Sequence, residues 1–268
     1  MSEAIDRINQ REMREAKSVL HYSQNGGFSA AEQAALGRVA DEVRGQRILD
    51  IGVGAGRTVE ALLRVSTDYL GVDISPEMIA ACRQRFPGVD FQLADARALE
   101  GVPTSSVKLA VFSCNGIGMV AHVDRLRILR EVHRVLVQDG IFLFSTHNRD
   151  CSDHSVGLKL PPFEMTANPV RMLVRMARFL WRTTLRAYRR FQHRKLEFHS
   201  SEYSMINDVC HDYGVMLYYI SLENQRRQLE NAGFLRDAEA FDLNGEPVTS
   251  GTTDNSMMLV ARKAPLHA

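Results

Sequence analysis

The stretch RILDIGVGAGRTVEALLRV, residues 47–65, decides the fold. It runs from an apolar segment, RILDI, through a turn with glycine at 52, 54 and 56, into a segment of helical periodicity. Glycines at a strand-to-helix turn let the backbone take positive φ and approach a ligand closely, so the turn reads as a nucleotide or cofactor loop. Outward from it the periods alternate. YLGVDI (69–74), VDFQLAD (89–95), KLAVFSCN (108–115) and GIFLFSTHN (140–148) read as strands, and DRLRILREVHRVL (124–136) as a helix. Ser75 and Pro76 open another helix, as N-cap and first residue, that runs to about Arg85. On the N-terminal side, Ser29 with Glu32 forms a capping box for AAEQAALGRVADEV, which should end near Gly45. Strands alternating with helices predict a mostly parallel sheet covered on both faces.

The alternation stops at Asn148. Beyond it come Pro161, Pro162, Pro169 and a long basic stretch, then VMLYYIS, a helix over LENQRRQLENAGF capped by Gly233, and two strands near 234–241 and 256–262. We expect one elaborated domain: a cap segment over 1–28, a core over 29–147 and 212–263, and an inserted basic lid or substrate-binding segment over 148–211.

Composition excludes other classes. Hydrophobic residues at 45% and charged residues at 24% are ordinary globular values, and 33 Lys and Arg against 32 Asp and Glu leave no overall field to draw the molecule to nucleic acid. The charged start MSEAIDRINQREMREAK lacks the apolar stretch of a signal peptide, and no run of 18 apolar residues occurs, so a cytoplasmic protein is expected. Cys82, Cys114, Cys151 and Cys210 are too widely spaced for a metal knuckle, and buried free thiols are expected with no metal.

The spacing after the first strand is G-x-G-x-G, preceded by Asp50, rather than the G-x-G-x-x-G of dinucleotide folds. An acid there would repel a pyrophosphate and attract a ligand carrying an ammonium or sulfonium. Asp73, 21 residues beyond Gly52, ends the second strand, where a carboxylate can accept from both ribose hydroxyls. Asp95 closes the third strand, where it can accept from an exocyclic amine while the Ala96 N–H donates to a ring nitrogen. Ile74, Met78, Ser113 and Asn115, beside these strand ends, complete the expected cofactor contacts with Gly52, Gly54 and Gly56.

In these residues the chain resembles the class I S-adenosylmethionine-dependent methyltransferases. ILDIGVGAGR is similar to the family's first motif, GVDIS to its ribose-binding acidic motif and LADARAL to its adenine-binding motif. REVHRVLVQDGIFLFSTHN resembles its later helix, turn and fifth strand, and YYISLENQRRQLENAGF its last helix. The resemblance covers about 30–147 and 212–263. It implies S-adenosyl-L-methionine as cofactor and a Rossmann-like, seven-stranded sheet with an antiparallel closing strand inserted between its neighbours. Relatives often fold an N-terminal segment over the cofactor, which makes Tyr22 a candidate for the methionine carboxylate.

Ser113-Cys114-Asn115-Gly116 replaces the Asn/Asp-Pro-Pro-aromatic motif of base amino-methylases, and no Pro-Cys pair exists for attack on a pyrimidine. O- or N-methylation of a small or lipid-linked metabolite, an anionic or sugar acceptor included, is what remains. Should the acceptor need deprotonation, His122 after the fourth strand and His147 at the end of the fifth are the candidate bases.

Between Met165 and Leu196 stand eight arginines, one lysine and no acid. On a helix, Arg171, Arg175, Arg178, Arg182, Arg186 and Arg189 share a stripe about 80° wide, opposite Leu173, Ala177, Leu180, Trp181, Tyr188 and Phe191. We expect the apolar side to pack on the core and the arginines to serve an acceptor. Peripheral membrane contact through 171–195 and RNA binding are the competing uses, nucleic acid being disfavoured for lack of a recognisable module. For the whole chain the rivals are a nicotinamide-dependent oxidoreductase and a noncatalytic cofactor-binding or membrane-adaptor protein.

Overall fold

Ser2–Met13 (α1) and Ala30–Val43 (α2) precede Ile48–Ile51 (β1), a strand buried along its whole length, Asp50 included. In the computed structural model, which describes residues 2–13, 27–151 and 157–265, β1 lies mid-sheet, parallel to Tyr69–Asp73 (β2) on one side and Val107–Phe112 (β4) on the other. Asp90–Leu93 (β3) continues beyond β2, and Leu136–Asn148 (β5) beyond β4, both parallel. The helices between them are Val59–Leu63 (α3), Pro76–Arg85 (α4) and His122–Val135 (α5). Both expected starts are present: the Ser29–Glu32 capping box is closed in both directions, and the Ser75 side chain accepts from the Met78 N–H.

The order β3-β2-β1-β4-β5 reverses direction between β1 and β4, which opens a crevice at the carboxyl ends of those strands. Past β5, Ser256–Arg262 (β11) is antiparallel and lies between β5 and Glu239–Phe241 (β9), with Pro247–Val248 (β10) at the edge. This is the mostly parallel Rossmann-like arrangement, its seven core strands closed by an inserted antiparallel one. The strand expected from 234 begins only at Glu239, because Gly233 turns the chain at φ +92 and Phe234 makes a single bridge to Lys263.

The later segment adds Pro169–His193 (α6), Phe198–His199 (β6), Tyr203–Asp208 (β7), Val215–Ile220 (β8) and Leu222–Asn231 (α7). β4 pairs with β5 as far as Phe144, and β8 takes over at His147 and Asn148, so the β7–β8 hairpin stands above β4 and walls the crevice. Helix α1 is fixed against this wall by Asn9, whose amide donates to the carbonyls of Met119 (2.6 Å) and Met216 (2.8 Å) and accepts from the Met216 N–H (2.8 Å).

The faces of α6 are the reverse of the expectation. Arg186 is 7% exposed and reaches Asp212 (2.6 Å) and the Lys159 carbonyl (2.8 Å); Arg182 shares Asp212, Arg189 meets Glu12 of α1 (3.2 Å), and Arg190 meets Glu197. These carboxylates draw the arginine side inward, and Leu173, Leu180, Trp181, Tyr188 and Phe191 face solvent. Among the described residues no helix is long and apolar enough to cross a membrane.

Candidate functional site

The β1–α3 turn passes through left-handed backbone at Gly52 (φ +64) and Gly54 (φ +56). A Cβ on Gly52 would strike the Phe112 ring at 2.7 Å, whereas one on Gly54 would meet nothing nearer than the Gly52 carbonyl at 4.0 Å and would project into the crevice. The loop is held from behind: the Gly54 carbonyl accepts from Cys82 Sγ, and Arg57 grips Glu32 with two nitrogens (2.6 and 2.8 Å) and caps the Gly27 carbonyl. Burial alone would raise the Glu32 carboxyl, but the Arg57 hydrogen bonds and charge bring it below its ordinary value. Gly56, also left-handed, faces Phe86 and Cys82 rather than the crevice.

Asp73 stands at the end of β2 with one oxygen accepting from the Gly54 N–H (2.9 Å) and the other from the Ser75 N–H (2.8 Å). Burial raises its carboxyl despite these donors. The two backbone bonds fix the orientation of the carboxylate and leave it lone pairs for a ligand. Ile74, exposed, and Met78 provide an apolar flank beside it.

At the end of β3, Asp95 is clasped by the guanidinium of Arg97 (2.6 and 2.9 Å), which reaches on to Asp6 of α1. Burial would raise Asp95, and the Arg97 contacts outweigh it and lower it. Asp95, Ala96 and Arg97 share the cleft, of about 240 Å³, with Asp6, Asn9, Gln10 and Met13 of α1, with Arg57, and with Phe112, Ser113, Cys114, Met119 and Val120 after β4. The sequence reading expected a cap over 1–28 but did not single out Asp6, Asn9, Gln10 and Met13 of α1, nor Arg57 and Arg97, as cleft residues. Arg97, two positions after Asp95, carried a local signal; Asp6 and Asn9 carried none.

Asp50 does not line the cleft. It is fully buried behind the loop, accepting from Thr58 Oγ1 (2.5 Å) and the Tyr69 hydroxyl (2.9 Å) with one oxygen while the other has no partner. Burial pushes its carboxyl up to about 6. Its influence on a ligand is therefore electrostatic, exerted through the glycine turn. Asn115 has a left-handed backbone (φ +55), donates its N–H to Ser145 Oγ and keeps a buried side-chain oxygen without a partner; it lies between two cleft residues but does not itself line the cleft.

Neither histidine reaches the cleft. His122 begins α5 with its ring stacked on Tyr203 (4.2 Å between centroids) and Nδ1 2.8 Å from the Tyr218 hydroxyl, beside a separate cavity. Burial and the Arg125 charge lower it. His147 is enclosed between β8 and β11, stacked on Tyr219 behind Gly118, and burial pushes it down to about 4. Tyr22 lies outside the described residues. All four cysteines are free; Cys82 and Cys151 are buried as expected, but Cys114 and Cys210 are exposed.

Residues 48–140 match a family model described as a methyltransferase domain. A Mycolicibacterium smegmatis protein named "Probable S-adenosylmethionine-dependent methyltransferase" is 29% identical over 152 residues, 55% of this chain and 57% of that one. An uncharacterized methyltransferase of Bacillus subtilis is 31% identical over 137 residues, 49% of this chain and 53% of its own. The chain thus spans just over half the length of these relatives. Among solved structures, the S-adenosylmethionine-bound amino pentose methyltransferase of Micromonospora echinaspora superposes with a TM-score of 0.56 at 14% identity, covering 93% of this chain and 97% of that one. An S-adenosylmethionine-dependent methyltransferase of Clostridium acetobutylicum gives 0.57 at 11% identity, covering 88% and 91%. At such identities the superpositions speak for the fold.

Proposed function

We propose that the chain, whose residues 48–140 match a methyltransferase domain, is a class I S-adenosylmethionine-dependent methyltransferase, that its cleft binds S-adenosylmethionine and that it methylates a small-molecule acceptor at oxygen or nitrogen. The observation that carries this reading is Asp73, a carboxylate oriented toward the cleft by the N–H groups of Gly54 and Ser75 in register with the β1 turn and with Asp95.

The residues present fit the cofactor. The open side of Gly54 leaves backbone room that any side chain would fill. Asp73 would accept from ribose hydroxyls, Asp95 and the Ala96 N–H would take the adenine edge, and Ile74 and Met78 would cover its face. The buried Asp50 charge favours a cation above the turn and disfavours a pyrophosphate, which argues against the nicotinamide alternative. When bound, S-adenosylmethionine supplies an electrophilic methyl group on a sulfonium.

The chain's own part is placement and exclusion of water. Helix α1 closes over the crevice through Asn9 and the Asp6–Arg97 ion pair, and Met13, Met119 and Val120 line the side available to an acceptor. Of the cleft acids, Asp6 and Asp95 are bound to Arg97 and Asp73 is held by the Gly54 and Ser75 N–H groups at the proposed ribose position, while neither histidine lines the cleft, so the described residues offer placement rather than a dedicated base. Alignment of nucleophile and methyl group in a dry site can supply several kcal/mol, about 7–11 in favourable cases. Such a site suits an acceptor that is already nucleophilic, such as a neutral amine.

The test is to incubate the protein with methyl-labelled S-adenosylmethionine and a panel of small amines, alcohols and acids, and to follow label into product. Label transfer that Asp73→Ala abolishes supports the reading; absence of transfer to the panel and to a small-molecule extract refutes the catalytic part of it.

A further inference from the structure

We propose that α6 and the loop before it form a docking surface for an anionic lipid bilayer. A helix on the surface of a globular protein ordinarily turns its apolar stripe inward and its charges to water. Here Arg182, Arg186, Arg189 and Arg190 are turned toward Asp212, Glu12 and Glu197, and this network holds the other side of the helix outward. The result is an exposed apolar stripe running from Val170 to Phe191 of α6, with Leu173 69%, Trp181 67% and Phe191 78% exposed, and Val174, Leu180 and Tyr188 between them. Leu158, Leu160, Phe163 and Met165 extend it through the preceding loop. Of the 18 exposed large hydrophobic side chains among the described residues, 13 lie between Leu158 and Phe198, so the exposure is a localised patch rather than scatter.

Charge selects the occupant. α6 contains no acidic residue, exposed Arg171 and Arg178 border the stripe, and exposed Arg194 and Lys195 follow its C-terminal end. Glu164, at the N-terminal end, is taken up by Arg175. A second copy of this chain would bring these like charges together, whereas anionic headgroups complement them while the stripe enters the acyl boundary. Trp181 and Tyr188 are residue types that favour that boundary. The ion-paired inner face keeps the helix in the plane of the surface rather than across it. This inference stands independently of the methyl-transfer reading.

The test uses the full chain and vesicles of phosphatidylglycerol and phosphatidylcholine at about one to two. Trp181 is the only tryptophan in the sequence, so its fluorescence reports on the stripe directly. The protein should float with the vesicles, with Trp181 emission shifting to the blue and quenched by brominated acyl chains. Binding should weaken at least about tenfold on phosphatidylcholine alone, and again in about 0.5 M salt. Leu173→Glu with Phe191→Glu, both at exposed positions, should abolish it without moving the thermal unfolding midpoint. Failure of the unaltered chain to float, with Trp181 unshifted, overturns the proposal, as does equal binding to neutral vesicles. A dimer in sedimentation that the double substitution dissociates, with Trp181 already shielded without lipid, also overturns it in favour of a second copy.

Discussion

Asp50→Asn isolates the electrostatic role of the acid behind the glycine turn. The folded chain raises this carboxyl from 3.8 to about 6, chiefly by burial. At 1.36 kcal/mol per unit the shift amounts to about 3 kcal/mol. Because the folded value lies above the unfolded one, the folded state holds the proton more tightly. The associated stability is therefore present below about pH 4, is lost as pH rises from about 4 to 6, and is absent above. An amide at this position does not titrate. The difference in unfolding free energy between variant and parent should thus move by about 3 kcal/mol in the variant's favour from pH 4 to pH 7.5, with groups common to both cancelling. Urea unfolding at several pH values measures it. In the same variant the affinity for cationic S-adenosylmethionine at pH 7.5 should fall by about tenfold, since the buried negative charge is gone. A stability difference constant to within about 1 kcal/mol across that range would refute the argument that Asp50 is held ionised at a cost.

Asp73→Ala should cost about 1.5–3 kcal/mol in S-adenosylhomocysteine affinity and erase the preference for ribose over a 2′-deoxy analogue, as equilibrium dialysis with the two ligands would show. His122→Gln and His147→Gln should each leave turnover within about threefold of the parent and the pH–rate profile unchanged, because neither ring lines the cleft; a tenfold loss with disappearance of an acid limb would mean that a histidine does move a proton. Arg186→Ala should destabilise the chain by about 1–3 kcal/mol in urea, because it removes a buried guanidinium from Asp212 and from the Lys159 carbonyl. Asn9→Ala, which unfastens α1 from Met119 and Met216, should speed S-adenosylhomocysteine release by about tenfold in stopped flow, while leaving the folded core intact.

The parts legible in the sequence are those set by local chemistry. The change of period at residues 47–65, the Ser29 and Ser75 caps and the acids closing β2 and β3 are each settled within a few positions along the chain. What escaped depends on partners far apart. A helical wheel says which residues of α6 share a side but not which side turns inward; that is decided by Asp212, 26 positions from Arg186, and by Glu12 at the other end of the chain. Likewise Asn9 finds its carbonyl partner 207 positions away, and Arg97 meets Asp6 across 91. His122 and His147 do lie near strand ends, as their sequence positions imply, but the β7–β8 hairpin rises between the strands and takes both rings into its own side-chain contacts.

The central claim, that the cleft between β1 and β4 is a site for S-adenosylmethionine, is tested most directly by calorimetric titration of the whole chain with S-adenosylhomocysteine, with a nicotinamide dinucleotide titrated in parallel. The account predicts saturable binding at one site per chain, weakened at least about tenfold by Asp73→Ala, and no measurable heat from the dinucleotide. No binding of S-adenosylhomocysteine, or tighter binding of the dinucleotide, would contradict it.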